Sequence, residues 1–273
     1  MKDLKERTVL LTGASGGIGH RVARRLAAAG ANVAVAGRRA DVLEALANEL
    51  RETGVKAEPI VGDLARLGEL DDLVDKTERA LGPVDILINN AGAELASAFA
   101  GYTPDELRWM TDVNLVAPML LTRRVLPGMV ERERGHVVFV STGAAKIAPA
   151  YQAPYAATKA GLLSLSQSLR AEYHRSPIGF SVVLPGFVKG DGMYQAWVDQ
   201  GVEASKLLGS TTVDRISGKI VGAILKDRAE VLDMGMPVRS MFATTQLSPG
   251  FAGRMALRMS PVFRKQAAAR DRL

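Results

Sequence analysis

The apolar run Thr8–Thr12 passes straight into Gly13-Ala-Ser-Gly-Gly-Ile-Gly19 and a helical pattern, Gly17–Ala29. A strand that ends in four clustered glycines must turn sharply, and the helix behind it must pack close. The same alternation repeats to about residue 235. Asn32–Ala36 reads as a strand and Ala40–Glu52 as a helix, then Val55–Val61 and Glu69–Leu81. Ile86–Asn89 is followed by helical stretches from Pro104 to about Val130, and Val137–Ser141 by a helix from about Pro154 to Arg175. Phe180–Leu184, the helix Val213–Lys226 and a short strand Glu230–Asp233 close the series. Apolar strands alternating with helices predict a parallel sheet covered on both faces. The expectation is one doubly wound α/β domain over residues 1–235, followed by an extension, residues 236–273. The 47% hydrophobic content is enough for a large core.

Composition removes several kinds of chemistry. There is no cysteine, hence no disulfide, thiolate metal site or cysteine nucleophile. His20, His136 and His174 are scattered, so no metal site is expected. No apolar run reaches the roughly 18 residues of a spanning helix. The charged start, Lys2 to Arg7, has no signal-peptide core. A cytoplasmic protein is expected.

The glycine turn has a chemical use. A glycine-rich strand-to-helix turn lets the backbone approach a pyrophosphate and aims helix N–H groups at its charge. Gly13, Ser15, Gly16, Gly17, Ile18 and Gly19 are the candidate cradle, although the spacing differs from G-x-G-x-x-G. An ordinary tight turn is the plainer alternative. After the second strand stand Gly37, Arg38 and Arg39, where an NAD site would place an acid. Guanidinium groups match a 2′-phosphate, so NADP(H) is preferred, with NAD(H) as the second choice. Solvated loop charges are the competing reading of Arg38 and Arg39. Asp63-Leu64 either borders the adenine or caps a turn. Downstream, Tyr155 and Lys159 are four apart, a spacing that puts both on one helix face. An ammonium beneath a phenol is expected to lower the phenol's pKa, which suits it to proton transfer with a carbonyl/alcohol pair.

Taken in order, these residues resemble the short-chain dehydrogenase/reductase family over roughly residues 5–235. Thr12-Gly-Ala-Ser-Gly-Gly-Ile-Gly19 is similar to its cofactor turn. Asn89-Asn-Ala-Gly92 resembles its motif after the fourth strand; the resemblance implies that Asn90 steadies the sheet and that Ala91 and Gly92 lie near the cofactor. Asn114 stands where the family keeps a helix asparagine, Tyr155 and Lys159 match the catalytic pair, and Pro185, Gly186 and Val188 match the nicotinamide-side loop. The resemblance implies a Rossmann-like fold and a carbonyl reduction or its reverse, with Tyr155 moving the proton. Lys159 would stabilise the phenolate and bind the ribose, and Asn114 would hold a relay water. Two places depart from the family. Its catalytic serine falls on Thr142, with Ser141 one step earlier as the reserve. Its loop threonine falls on Gly190, so one carboxamide contact is lost. A homodimer through the Pro104–Val130 and Pro154–Arg175 helices is implied. A non-catalytic NADP(H) sensor remains the alternative from another class, although such proteins typically lose the tyrosine or lysine.

The segment Phe187–Leu208 carries Phe187, Met193, Tyr194, Trp197, Val198, Leu207 and Leu208. It reads equally as a lid over a lipophilic substrate and as a capping helix packed inward. Tyr151 and the Ala93–Phe99 stretch complete such a pocket. The net charge of +6 sits in the tail, which has seven Lys/Arg and one acid from Gly235 onward. Phe251, Met255 and Met259 share a helical face beside Arg254 and Arg258, before Pro261 interrupts. Packing on the enzyme, peripheral contact with an anionic membrane and disorder are the three readings of this tail. No nucleic-acid motif accompanies the basic residues.

Overall fold

A computed structural model describes residues 1, 3–190, 194, 195, 198, 210–234, 244 and 247–270. Seven parallel strands run in the order β3-β2-β1-β4-β5-β6-β9. They are β1 (Thr8–Thr12), β2 (Asn32–Gly37), β3 (Ala57–Val61), β4 (Ile86–Asn89), β5 (Gly135–Val140), β6 (Ile178–Pro185) and β9 (Glu230–Asp233). The central strands β1, β4, β5 and β6 are buried along their whole length, as expected of a parallel sheet covered on both faces. A separate parallel pair, β7 (Phe187–Lys189) and β8 (Ser210–Thr212), was not legible in the pattern.

Helices cover both faces. On one side α1 (Gly17–Ala28), α2 (Ala40–Arg51) and α8 (Val213–Leu225) bury Val22, Leu26, Leu43, Leu46, Ile216 and Ile220 against the strands. On the other, α3 (Leu70–Leu81), α5 (Ala117–Glu131) and α7 (Ala153–Glu172) bury Leu73, Val74, Leu121, Val125 and Leu162. Fully burying one such side chain contributes roughly 1.5–3 kcal/mol. The strand order reverses between β1 and β4, so the carboxyl ends of these strands open a crevice where ligands of such sheets bind.

Three boundaries differ from the periodic reading. The stretch predicted as helical from Pro104 begins as α4 (Pro104–Thr111), which Thr103 and Glu106 start with a reciprocal capping box. It then widens into a π-helical turn, Asp112–Val116, before α5. Strand β5 stops at Val140, which releases Ser141 and Thr142 into a loop. The tail helix α9 (Pro249–Arg270) runs through Pro261 rather than ending there. Proline costs about 3 kcal/mol inside a helix. Burial of Phe263 and Ala267 and a hydrogen bond from Ala150 N to Ser260 Oγ (3.2 Å) hold the second half in place.

The end of β9 is anchored by charge. Asp233 is buried and accepts hydrogen bonds from Thr211 Oγ1 (2.5 Å), Arg215 Nε (3.0 Å) and Lys219. Burial opposes its ionisation, but the bonds from Lys219, Thr211 and Arg215 prevail and lower its pKa. Of the predicted lid, Met193, Trp197, Leu207 and Leu208 lie outside the described residues, as do residues 235–240 and the Met259 side chain.

Candidate active site

One cavity of about 530 Å³ runs along the carboxyl ends of the strands. Its lining includes every predicted cofactor and catalytic position except Asn114.

At one end lies the glycine turn. Gly13 has φ +66°, and a Cβ there would fall 2.8 Å from the Ala91 Cα. A Cβ on Gly19 would fall 2.2 Å from Gly13 O. Both positions therefore exclude any other residue. Asn90 locks the turn to β4: its Nδ2 donates to Thr12 O (3.0 Å) and Gly13 O (3.1 Å). Thr12 Oγ1 accepts from Asn90 N and Ala91 N. Helix α1 has neither a capping side chain nor an acid in its first turn, so its N-terminal field is left for an anion. Gly16, Gly17, Ile18 and Ser15 border the same space.

Arg38 and Arg39 stand at the rim. Arg39 Nη2 donates to Ser15 O, which ties it to the turn. Arg38 is exposed and has no ion pair among the described residues. Asp63 lines the cavity with Leu64 and also caps its own turn, accepting from Ala65 N (3.1 Å). Glycine cradle, open helix end and two guanidiniums fit a dinucleotide with an extra phosphate.

At the other end are Ser141, Thr142, Tyr155 and Lys159, with Pro185, Gly186 and Val188 opposite. Ser141 Oγ donates to Lys159 O (2.8 Å), so its proton is held by the backbone of α7. Thr142 Oγ1 instead accepts from Ala144 N (3.3 Å) and borders the cavity with Tyr155, where its influence opposes the rise in the phenol's pKa. Lys159 Nζ donates to Val140 O (3.1 Å) and lies 5.9 Å from the Tyr155 ring centre. Gly92 leaves room for it, because a Cβ there would be 3.2 Å from Nζ. Asn114 is fully buried behind this wall. It accepts from Ala93 N (2.8 Å) and donates to Ala93 O (2.8 Å) and Thr158 Oγ1 (3.2 Å). Gly190, where a threonine was expected, has φ +107°, a shape that a β-branched residue rarely adopts.

The electrostatics correct one expectation. Tyr155 is not lowered by Lys159. Burial and the Glu94 carboxylate push its pKa up, and Thr142 opposes them. The physical reason is burial of the phenol itself; the Lys159 ammonium beside it donates to Val140 O, and burial takes its own pKa down to about 8, with Glu94 opposing. Glu94 was not singled out as a site residue. Burial raises its carboxyl to about 8, against the pull of Lys159, and Gln152 Nε2 donates to its Oε1. The one sequence signal was an acid two residues after Gly92 of Asn89-Asn-Ala-Gly92.

Apolar residues close the mouth. Phe187 stands 5.0 Å from Tyr194 and 6.3 Å from Phe263, ring centre to ring centre. Phe263 and Met255 of α9 are buried with Ile147 and Tyr194, so the apolar face of the tail helix packs on the enzyme. Among the described residues no helix is long and apolar enough to cross a membrane, and no group of three or more candidate ligands is placed to hold a metal.

The family model for short chain dehydrogenases matches residues 7–200. A ketoacyl reductase, HetN, of Nostoc sp. is 37% identical over 254 residues, covering 91% of this chain and 88% of its own. A metagenomic blue fluorescent protein solved with NADPH superposes with a TM-score of 0.76 at 28% identity, over 85% of this chain and 98% of that one. A short-chain dehydrogenase from Sphingobium yanoikuyae, also with NADPH, gives 0.76 at 29% identity, over 89% and 94%. With its sheet order, its glycine turn and this match over most of its length, the chain belongs to the short-chain dehydrogenase family of oxidoreductases.

Proposed function

We propose that this protein is an NADP(H)-dependent oxidoreductase that interconverts a carbonyl and a secondary alcohol on a lipophilic small molecule. The observation that carries the reading is one continuous cavity, with the glycine turn, Arg38 and Arg39 at one end and Thr142, Tyr155 and Lys159 at the other. The NADPH complexes of the related structures support the same cofactor here, with NAD(H) as the second choice.

The cofactor, when bound, supplies a hydride to the carbonyl carbon or takes it back in the reverse reaction. The protein does the rest. Arg38 and Arg39 hold the 2′-phosphate by charge-assisted bonds. Thr142 orients the substrate oxygen, since Ser141 is committed to Lys159 O. Tyr155 gives its hydroxyl proton to that oxygen on reduction and recovers it on oxidation. Lys159, held by Val140 O beside the Tyr155 ring, binds the nicotinamide ribose. Asn114 acts from behind by fixing Ala93, and a relay water near it is the role carried over from the family. The aromatic mouth built from Phe187, Tyr194 and Phe263 favours an apolar substrate body.

Two assembly features accompany this reading. Helices α5 and α7 are the face for a second copy, and Met119, 44% exposed on α5, supports it. The outer face of α9 presents Arg254, Arg258 and an exposed Leu257, the side on which peripheral contact with an anionic membrane would form. Binding to anionic vesicles by the full chain, lost on truncation near Met236, is the expected result; no binding by the full chain removes that contact.

Titration with NADPH and NADH, followed by protein fluorescence, tests the central reading. Tight NADPH binding together with turnover of apolar ketones, abolished in Tyr155→Phe, is expected. Binding of neither nucleotide would remove the reading, and binding without turnover would return the sensor alternative.

A further inference from the structure

Glu94 is held in the catalytic cavity by its neighbours. Asn114 clamps Ala93 through both backbone groups, which fixes where residue 94 leaves the chain. Gln152, 1% exposed, donates to Glu94 Oε1 and lies one helical turn before Tyr155. Glu94, Gln152, Thr142 and Tyr155 line the same space. Among the described residues no cation pairs with Glu94 at ion-pair distance.

A carboxylate here works against the chemistry. It raises the proton affinity of Tyr155 and so disfavours the phenolate that carbonyl reduction leaves behind. That penalty disappears when the carboxyl is neutral. Burial brings this about by raising Glu94 to about 8, so that at neutral pH it is mostly a carboxylic acid. A neutral carboxyl both donates and accepts hydrogen bonds, and this half-buried one, with Gln152 on its Oε1, borders the cavity where a ligand hydroxyl would meet it.

Resting on the function proposed above, we propose that Glu94, positioned by Gln152, is a substrate-recognition residue that hydrogen-bonds a hydroxyl beside the reacting carbon. The preferred substrates are then hydroxy ketones and the matching diols, with an apolar body toward Phe187 and Phe263. Such a bond discriminates by about 10- to 100-fold.

The test compares 1-hydroxy-2-decanone with 2-decanone in turnover, and 1,2-decanediol with 2-decanol in calorimetric binding to the NADP-loaded protein. The wild type is expected to favour the hydroxyl-bearing member of each pair by about 10- to 100-fold. Glu94→Met is expected to bring both ratios to within about threefold. Glu94→Gln, which keeps a donor and an acceptor, is expected to retain an intermediate ratio and lose the pH limb near 8. NADPH binding at the far end of the cavity reports that each variant is folded. Ratios unchanged in Glu94→Met, or near one in the wild type, overturn the proposal. Absence of all turnover with intact diol discrimination overturns the oxidoreductase reading and leaves the recognition role standing.

Discussion

The ammonium of Lys159 donates to the main-chain oxygen of Val140 at 3.1 Å from a position that is 3% exposed. This charge is kept inside the protein at a cost. Burial lowers its pKa from 10.5 to about 8, so the unfolded chain binds more protons between those values. Stability therefore rises with pH across that window, and below pH 8 the buried charge is worth about −3 kcal/mol. Lys159→Met is expected to raise the melting temperature by about 2–6 °C at pH 7 while reducing turnover at least 100-fold. Calorimetry and steady-state kinetics check both, and a lower melting temperature would contradict the account.

The hydroxyls of Thr142 and Ser141 face different partners, which separates their variants. Thr142→Ala is expected to lower kcat by about 100-fold, the scale of one lost donor at a developing charge, and Thr142→Ser to restore most of it. Ser141→Ala loses the bond to Lys159 O and is expected to lower stability by about 1 kcal/mol. Urea titration beside kinetics distinguishes them; a larger kcat loss in Ser141→Ala reverses the assignment.

Cofactor choice rests on the rim guanidiniums. The double variant Arg38→Ala, Arg39→Ala is expected to weaken NADPH by about 10- to 100-fold, the worth of a charged hydrogen bond, and to leave NADH within about threefold. Equal weakening of both nucleotides would mean that Arg39 acts on the turn through Ser15 O rather than on the phosphate.

Phe263 joins the tail to the substrate mouth. Phe263→Ala opens the aromatic stack over Phe187 and is expected to raise KM for apolar ketones about tenfold with kcat nearly kept. A KM that does not move would show that α9 is only a prop for the loop at Ala150.

His136 gives the protein an acid limit. It is fully buried, with Nε2 on Ser181 Oγ at 2.8 Å, and burial lowers its pKa from 6.5 to about 4, with Asp227 opposing. The native state then binds fewer protons than the unfolded chain between pH 6.5 and 4, so stability falls as pH falls through that window. The loss is about 3 kcal/mol by pH 4. Urea midpoints at pH 7 and 4.5 measure it, and His136→Asn is expected to flatten the slope.

Much of the architecture was legible because it is periodic or local. Val22, Ala23 and Leu26 mark the buried face of α1, and the buried run of β1 ends in glycines that no other residue can replace at φ +66° or beside Gly13 O. Residues 155 and 159 share a face by helix geometry alone. The π-helical turn at Asp112–Val116 escaped the pattern, since one wider turn leaves the apolar spacing nearly unchanged.

The sequence by itself determined the doubly wound sheet, the glycine turn and the order of the motifs, because each depends on neighbours within a few residues. Only the tertiary structure decided that Gln152 meets Glu94 across 58 residues and that Ser260 meets Ala150 across 110. It alone turned the Lys159 ammonium to Val140, moved the Tyr155 phenol upward and set Phe263 over the mouth. Such pairings follow from how helices and loops pack at the carboxyl ends of the strands, and the degree of burial that shifts a pKa is a property of that packed environment, with no counterpart in residue spacing.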